Sequence, residues 1–163
     1  MWQKRLISIG VLLGALLAMS PTVAFGQQSD PVIVDLHNRV SRFFEQVKSK
    51  TMIQAAYLEL LGSGPKQLGS DEDRKDLVTK TTQIEENYGV YRGFEPVYTK
   101  RVGSDLVFVK YLYKCDRFPV LWHVTFYRSS ASGEVGPDSR TWQVISIRFD
   151  TDLELLTVLL ADK

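Results

Sequence analysis

A single cysteine in 163 residues, Cys115, excludes an intramolecular disulfide and a zinc knuckle. Charge of one sign is also missing: 20 basic and 19 acidic residues leave a net +1, so no excess draws the chain onto nucleic acid or an anionic bilayer. There is no phosphate loop, no Gly-x-Ser-x-Gly elbow and no His-Glu-x-x-His pair, so the common enzyme signatures are absent. No calcium-type loop occurs either; Asp71, Glu72, Asp73 and Asp76, interleaved with Arg74 and Lys75, read as the solvated face of a capped helix. Neither a metal nor a cofactor is expected. Internal repeats, low-complexity tracts and a second domain boundary are lacking too, and a chain of this length with 44% hydrophobic residues holds one domain.

What is present begins at the N-terminus. Lys4 and Arg5 precede an apolar stretch at 6–19, followed by Ser20-Pro21 and the small-residue exit Ala24-Phe25-Gly26. This reads as a secretory signal peptide cleaved after Gly26, the rival reading being an uncleaved membrane anchor. Cleavage removes two bases and no acid, so the net +1 becomes −1 for residues 27–163. Cys115 lies far from the cut, so no lipid anchor is expected. The absence of an Asn-x-Ser/Thr sequon favours a bacterial envelope, periplasmic or extracellular, over a eukaryotic secretory route.

Past a short polar lead, Val32, Leu36, Val40, Phe43, Phe44 and Val47 recur at spacings of three and four, which predicts a helix over 31–50. Asp30 is placed to cap it and Pro31 to start it, while Asn38, Arg39, Arg42, Glu45 and Lys48 would face water. A second helix is predicted over 51–61, stopped by Gly62-Ser63-Gly64-Pro65. Ser70 would cap a third, continuing through Leu77, Thr81, Ile84 and Tyr88 until Gly89 ends it. From Val90 the period becomes alternating, and strands are predicted over 91–102, 106–114, 118–128 and 141–150. The second is apolar on both faces and is therefore expected inside a covered sheet. Residues 129–140, rich in Ser and Gly, are the expected mobile link, and 152–163 form an apolar tail that would pack as a closing strand or short helix. Helices first and strands after argue for an α+β fold in which N-terminal helices pack on a curved four-stranded antiparallel meander.

That pattern, with Tyr88-Gly89, the segments 101–107 and 119–127, and Trp142-Gln143-Val144-Ile145-Ser146-Ile147, resembles the NTF2-like (cystatin-like) superfamily, in particular its small exported bacterial families of uncharacterised function. The resemblance spans most of residues 27–163. It departs from larger members, which place a strand among the helices; 64–69 is where a remnant of it would fall. It implies a cavity between sheet and helices and no particular activity.

His123 is the residue that catalysis would need, because the resemblance extends to isomerases and dehydratases that use cavity Asp, His and Tyr side chains for proton transfer. Its prospective partners are Tyr57, Glu59, Tyr98, Tyr111 and Asp150. The simpler reading makes it a hydrogen-bonded histidine in a half-buried strand, and likewise makes His37 a surface or boundary residue. Tyr57, Tyr98, Tyr111, His123 and Tyr127 would line a pocket for an apolar or aromatic small molecule; Tyr113, Trp122, Phe126 and Trp142 would serve pocket or core equally. Cys115 would be tucked in or pair between chains. The expected function is binding or assembly; the alternatives are a small isomerase or dehydratase built on His123, and an interaction module of an envelope complex. With helices covering one face of the sheet, Trp122 and Val124 on the other would leave an apolar patch and a homodimer interface. No membrane association is expected after cleavage.

Overall fold

In the computed structural model, which describes residues 30–62, 70–130 and 140–154, the first apolar stripe forms α1 (Pro31–Val47) and buries Leu36, Val40, Phe43, Phe44 and Val47. The Asp30 carboxylate accepts from the Val32 N–H at 2.9 Å, satisfying one of the amides a helix start leaves unpaired, and also pairs with Arg101 on the sheet. A 3₁₀ turn (Lys50–Met52) leads into α2 (Ile53–Leu61), whose Ile53, Ala56, Tyr57, Leu60 and Leu61 are buried. Ser70 caps α3 (Asp71–Thr82) through the Asp73 N–H at 3.1 Å.

The expected continuous third helix is broken at Gln83, after which α4 (Ile84–Tyr88) adds one turn. The hydroxyls of Thr81 and Thr82 donate back to the carbonyls of Leu77 and Val78, at 2.7 and 2.8 Å. Such bonds compete with the helical ladder and bend it. Gly89, at φ +94°, ends α4 as expected; a Cβ there would lie 3.1 Å from both the Arg117 nitrogen and the Asp116 Cβ. The Tyr88 carbonyl accepts from the Arg117 and Phe118 amides, so the helix end is stitched to a turn of the sheet.

Four strands follow: β1 (Tyr91–Val102), β2 (Leu106–Cys115), β3 (Val120–Ser130) and β4 (Arg140–Asp150), antiparallel in the order 1-2-3-4. The sheet is open, not a closed barrel. Gly103, at φ +61°, turns the first hairpin. Register stacks side chains into rows across the sheet. On the helix side Tyr111 pairs with Trp122 and Trp122 with Phe149, while Val109 pairs with Val124 and Val124 with Ile147. Phe43 and Phe44 of α1 meet the Trp122 ring at 5.5 and 5.4 Å between centroids, tying helix and sheet into one core.

Three expectations change here. β2 alternates between buried Val107, Val109, Tyr111 and Tyr113 and half-buried Leu106, Phe108, Lys110 and Leu112, so the helix layer covers one face of it only. Trp122 and Val124 are fully buried against the helices, not exposed on the far face, because pairing with Tyr111 and Val109 fixes which side they take. Arg39 does not face water: it donates to the Trp142 carbonyl at 2.7 Å and the Leu60 carbonyl at 3.2 Å, and lies over the Phe126 ring. The expected signal peptide (1–26), the segment 64–69, most of the Ser/Gly-rich link and the tail from 155 onward lie outside the described residues.

Candidate functional site

The five candidate binding residues divide between the two faces of the sheet. Tyr57 and Tyr111 are on the helix side and fully buried. The Tyr57 hydroxyl donates to the Thr81 hydroxyl at 2.7 Å, and the latter donates onward to the Leu77 carbonyl, so the phenol is consumed by structure. Burial raises the Tyr57 pKa well above the ordinary phenol value. Tyr111 is pushed up to about 12, chiefly by burial, with a hydrogen bond from Ser41 opposing. Between helices and sheet, where the resemblance implies a cavity, Phe43, Phe44, Tyr111, Tyr113 and Trp122 pack ring against ring.

A cavity of about 290 Å³ does open at one end of that layer, between Val47, Ile53, Ile84, Tyr91, Tyr113 and Cys115. Its charged rim is internally neutralised, Lys50 lying 2.9 Å from Glu85 and Lys48 2.5 Å from Glu45. Cys115 is half-buried there, and burial pushes its thiol up, away from the thiolate a nucleophile needs.

His37, read from sequence as a boundary residue, holds the helix layer to β1 and β2. Its Nδ1 bonds the Tyr111 hydroxyl and its Nε2 the Thr99 hydroxyl at 2.9 Å, using both ring nitrogens. Burial lowers its pKa. A helix residue at position 37 and a strand residue at 111 share no local pattern, so only the packing of α1 across the sheet could reveal the pair.

Tyr98, His123 and Tyr127 lie on the face turned away from the helices. Register places Tyr98 opposite Lys110, Lys110 opposite His123, and His123 opposite Arg148, a single row crossing all four strands. The adjoining row is Lys100, Phe108, Thr125 and Ser146. These two rows line a groove of about 370 Å³. The Lys110 ammonium lies 5.6 Å from the centre of the Tyr98 ring. Tyr127 stands one row further along the strand, 43% exposed and outside the groove. At the opposite end the face closes: Leu121 is fully buried and His123 only 7% exposed.

Of the expected partners of His123, the fold delivers Asp150 and Tyr98; Tyr57, Glu59 and Tyr111 are elsewhere. The His123 Nε2 lies 3.4 Å from an Asp150 carboxylate oxygen, but the geometry is not that of a hydrogen bond, and this nitrogen is buried without a partner among the described residues. Burial lowers the His123 pKa, the positive charges of Lys110 and Arg148 lower it further, and Asp150 opposes them. The imidazole is therefore neutral at pH 7, and the contact with Asp150 is not an ion pair there.

The residues that sequence reasoning missed are the cations. Lys100, Lys110 and Arg148 line the groove, and none has an ion-pair partner among the described residues, although elsewhere on the sheet Lys114 pairs with Glu95 and Arg140 with Asp105. Nothing local to one strand marks them; their convergence depends on the register of three separate strand pairs. No group of acidic, histidine or cysteine side chains suited to hold a metal occurs among the described residues, and no helix there is long and apolar enough to cross a membrane. No family model, curated protein or solved structure gives a significant match to this chain.

Proposed function

We propose that the protein is an exported binding domain of the NTF2-like type whose ligand surface is the groove on the outer sheet face, not an enclosed cavity under the helices. One observation carries this reading: Tyr98, Phe108 and His123 converge on a groove crossing all four strands, whereas Tyr111 is packed inside and Tyr57, its hydroxyl bonded to Thr81, is the one candidate at the cleft of about 560 Å³ between α2 and α3. The volume lies at the lower end of what small-molecule sites offer, about 300–1,000 Å³. Tyr98 and Phe108 supply a flat apolar floor for an apolar or aromatic small molecule, and the helices-then-meander order supports the NTF2-like assignment.

The proximity of His123 to Asp150 favours the isomerase or dehydratase reading, but two features weigh against it. The nitrogen nearest the carboxylate is buried and so does not reach a ligand, and the pair lies on the outside of the sheet rather than in a closed site. An interaction module would want a flat apolar face; this one is grooved and carries cations with no ion-pair partner among the described residues. A face-to-face homodimer would set those cations against their own copies, which is unfavourable at close range.

The test is a fluorescence titration with N-phenyl-1-naphthylamine, a neutral aromatic probe that brightens in apolar sites. Saturable binding that is lost on Phe108→Ser, with Phe108→Leu retaining it, is expected. Binding that survives Phe108→Ser, or that is abolished instead by filling the cavity near Cys115, would displace the site from the groove.

A further inference from the structure

We infer that the groove selects a small organic anion, a flat apolar body carrying one carboxylate or sulfonate, with the charged group held by Lys110, Arg148 and Lys100 and the body lying on Phe108 and Tyr98. This rests on the binding reading above and adds to it the charge of the ligand.

The argument starts from cross-strand pairing. Side chains in one row or on the diagonal of a sheet face are near neighbours; no two cations here are directly opposed, but Lys100 lies diagonal to Lys110, and Lys110 and Arg148 stand on either side of His123, so positive charge gathers on one patch. The central row runs Tyr98, Lys110, His123, Arg148, with two permanent cations flanking one imidazole, and the adjoining row adds Lys100. Asp150 is the acid whose field reaches Lys110 and His123, and it stands one row away opposite Leu121. Three cations against one carboxylate leave the groove positive while His123 is neutral. The same sheet shows that it can neutralise its cations when nothing opposes this, since Lys114 meets Glu95 at 3.3 Å and Arg140 meets Asp105 at 3.6 Å. Cations gathered beside an apolar floor, with no ion-pair partner among the described residues, mark a site suited to an external anion.

A second line comes from Lys110. Its ammonium is half-buried over the Tyr98 ring and its pKa is lowered, by burial first and then by Arg148. Both effects oppose the charged form, and the attraction of an anion seated between Lys110 and Arg148 would offset them. The guanidinium of Arg148 offers two parallel donors to a carboxylate or sulfonate, and the lysine offers a point charge. An inorganic anion would leave the aromatic floor uncovered, and a neutral aromatic would leave the cations unmatched.

The experiment compares two probes that share a ring system and differ in charge: 1-anilinonaphthalene-8-sulfonate and N-phenyl-1-naphthylamine. With two histidines in the chain, His123 in the groove and His37 on α1 facing the other side of the sheet, imidazole NMR signals report where each probe sits. The sulfonate should bind at least threefold more tightly than the neutral probe, weaken as salt is raised, and move the His123 signals and not those of His37. Arg148→Gln and Lys110→Gln should each weaken sulfonate binding at least threefold and leave the neutral probe within a factor of two. Arg148 is exposed, so its variant reads the charge even if Lys110→Gln misfolds. Equal binding of both probes at His123, indifferent to these substitutions, would overturn the anion preference and leave the binding groove standing. If neither probe moves the His123 signals, both the groove and the anion preference are overturned.

Discussion

At the scale of single residues, the fold depends on polar side chains that sequence alone assigns to the surface or to a ligand. Tyr57 donates to Thr81, which donates to Leu77, so the two ends of this chain of bonds are not equivalent. Tyr57→Phe removes one donor and strands none, and should cost about 1 kcal/mol; Thr81→Val leaves the Tyr57 hydroxyl buried without an acceptor and should cost about 1–3 kcal/mol. Urea unfolding of the two variants measures the difference, and equal losses would contradict the direction assigned to the bonds. Arg39 bridges α1 to the end of α2 and to β4 with two separate carbonyls. Lysine has one nitrogen in place of the two-nitrogen fork that spans these carbonyls, so Arg39→Lys should destabilise by about 1.5–3 kcal/mol despite keeping the charge.

Among elements, the junctions carry the specificity. Asp30 both caps α1 and pairs with Arg101 near the end of β1, whereas Ser70 bonds only within the first turn of α3, to the Asp73 amide and carboxylate. Asp30→Ala should therefore lose more than the roughly 1 kcal/mol expected for Ser70→Ala. Gly89→Ala faces two penalties, a positive φ and a Cβ driven against the β2–β3 turn, and should cost about 1–3 kcal/mol by differential scanning calorimetry. A neutral Gly89→Ala variant would mean that the turn at Asp116 and Arg117 gives way freely. How much was legible at this scale follows from the range of each signal. Caps, the Gly89 stop and all four strands are local, and they were readable; the break at Gln83 was not, since it arises from threonine hydroxyls that choose a backbone carbonyl over solvent.

Across the whole molecule, both histidines have pKa values below the ordinary 6.5, His37 through burial and His123 through burial together with Lys110 and Arg148. The unfolded chain then takes up protons at a higher pH than the folded one. Stability is fully present above 6.5 and is lost as the pH falls toward the folded pKa values, below which the loss stops growing. The urea midpoint should therefore decline between pH 7 and pH 5, and His123→Gln should flatten part of that decline. A midpoint that rises on acidification would show that the folded imidazoles hold their protons more tightly than assumed. In sedimentation at low ionic strength the protein should run as a monomer, because the face once expected to be an apolar patch carries repelling cations and its large rings point inward.

The sequence by itself determined the class of the fold. Three-and-four spacing, capping residues and the change to alternation at Val90 are properties of neighbours along the chain, and they specify α+β with a four-stranded meander before any contact forms. It also narrowed the chemistry by what is missing, a second cysteine and any reactive motif. Only the tertiary structure decided which face of each strand looks at the helices, because a shift of one residue in pairing exchanges every side chain between the two faces. That parity sent Trp122 and Val124 into the core, separated Tyr57 and Tyr111 from Tyr98 and His123, and drew Lys100, Lys110 and Arg148 from three strands into one groove. Strand alternation is encoded residue by residue; the register that aligns one strand's alternation with the next is set by the packing of the whole sheet.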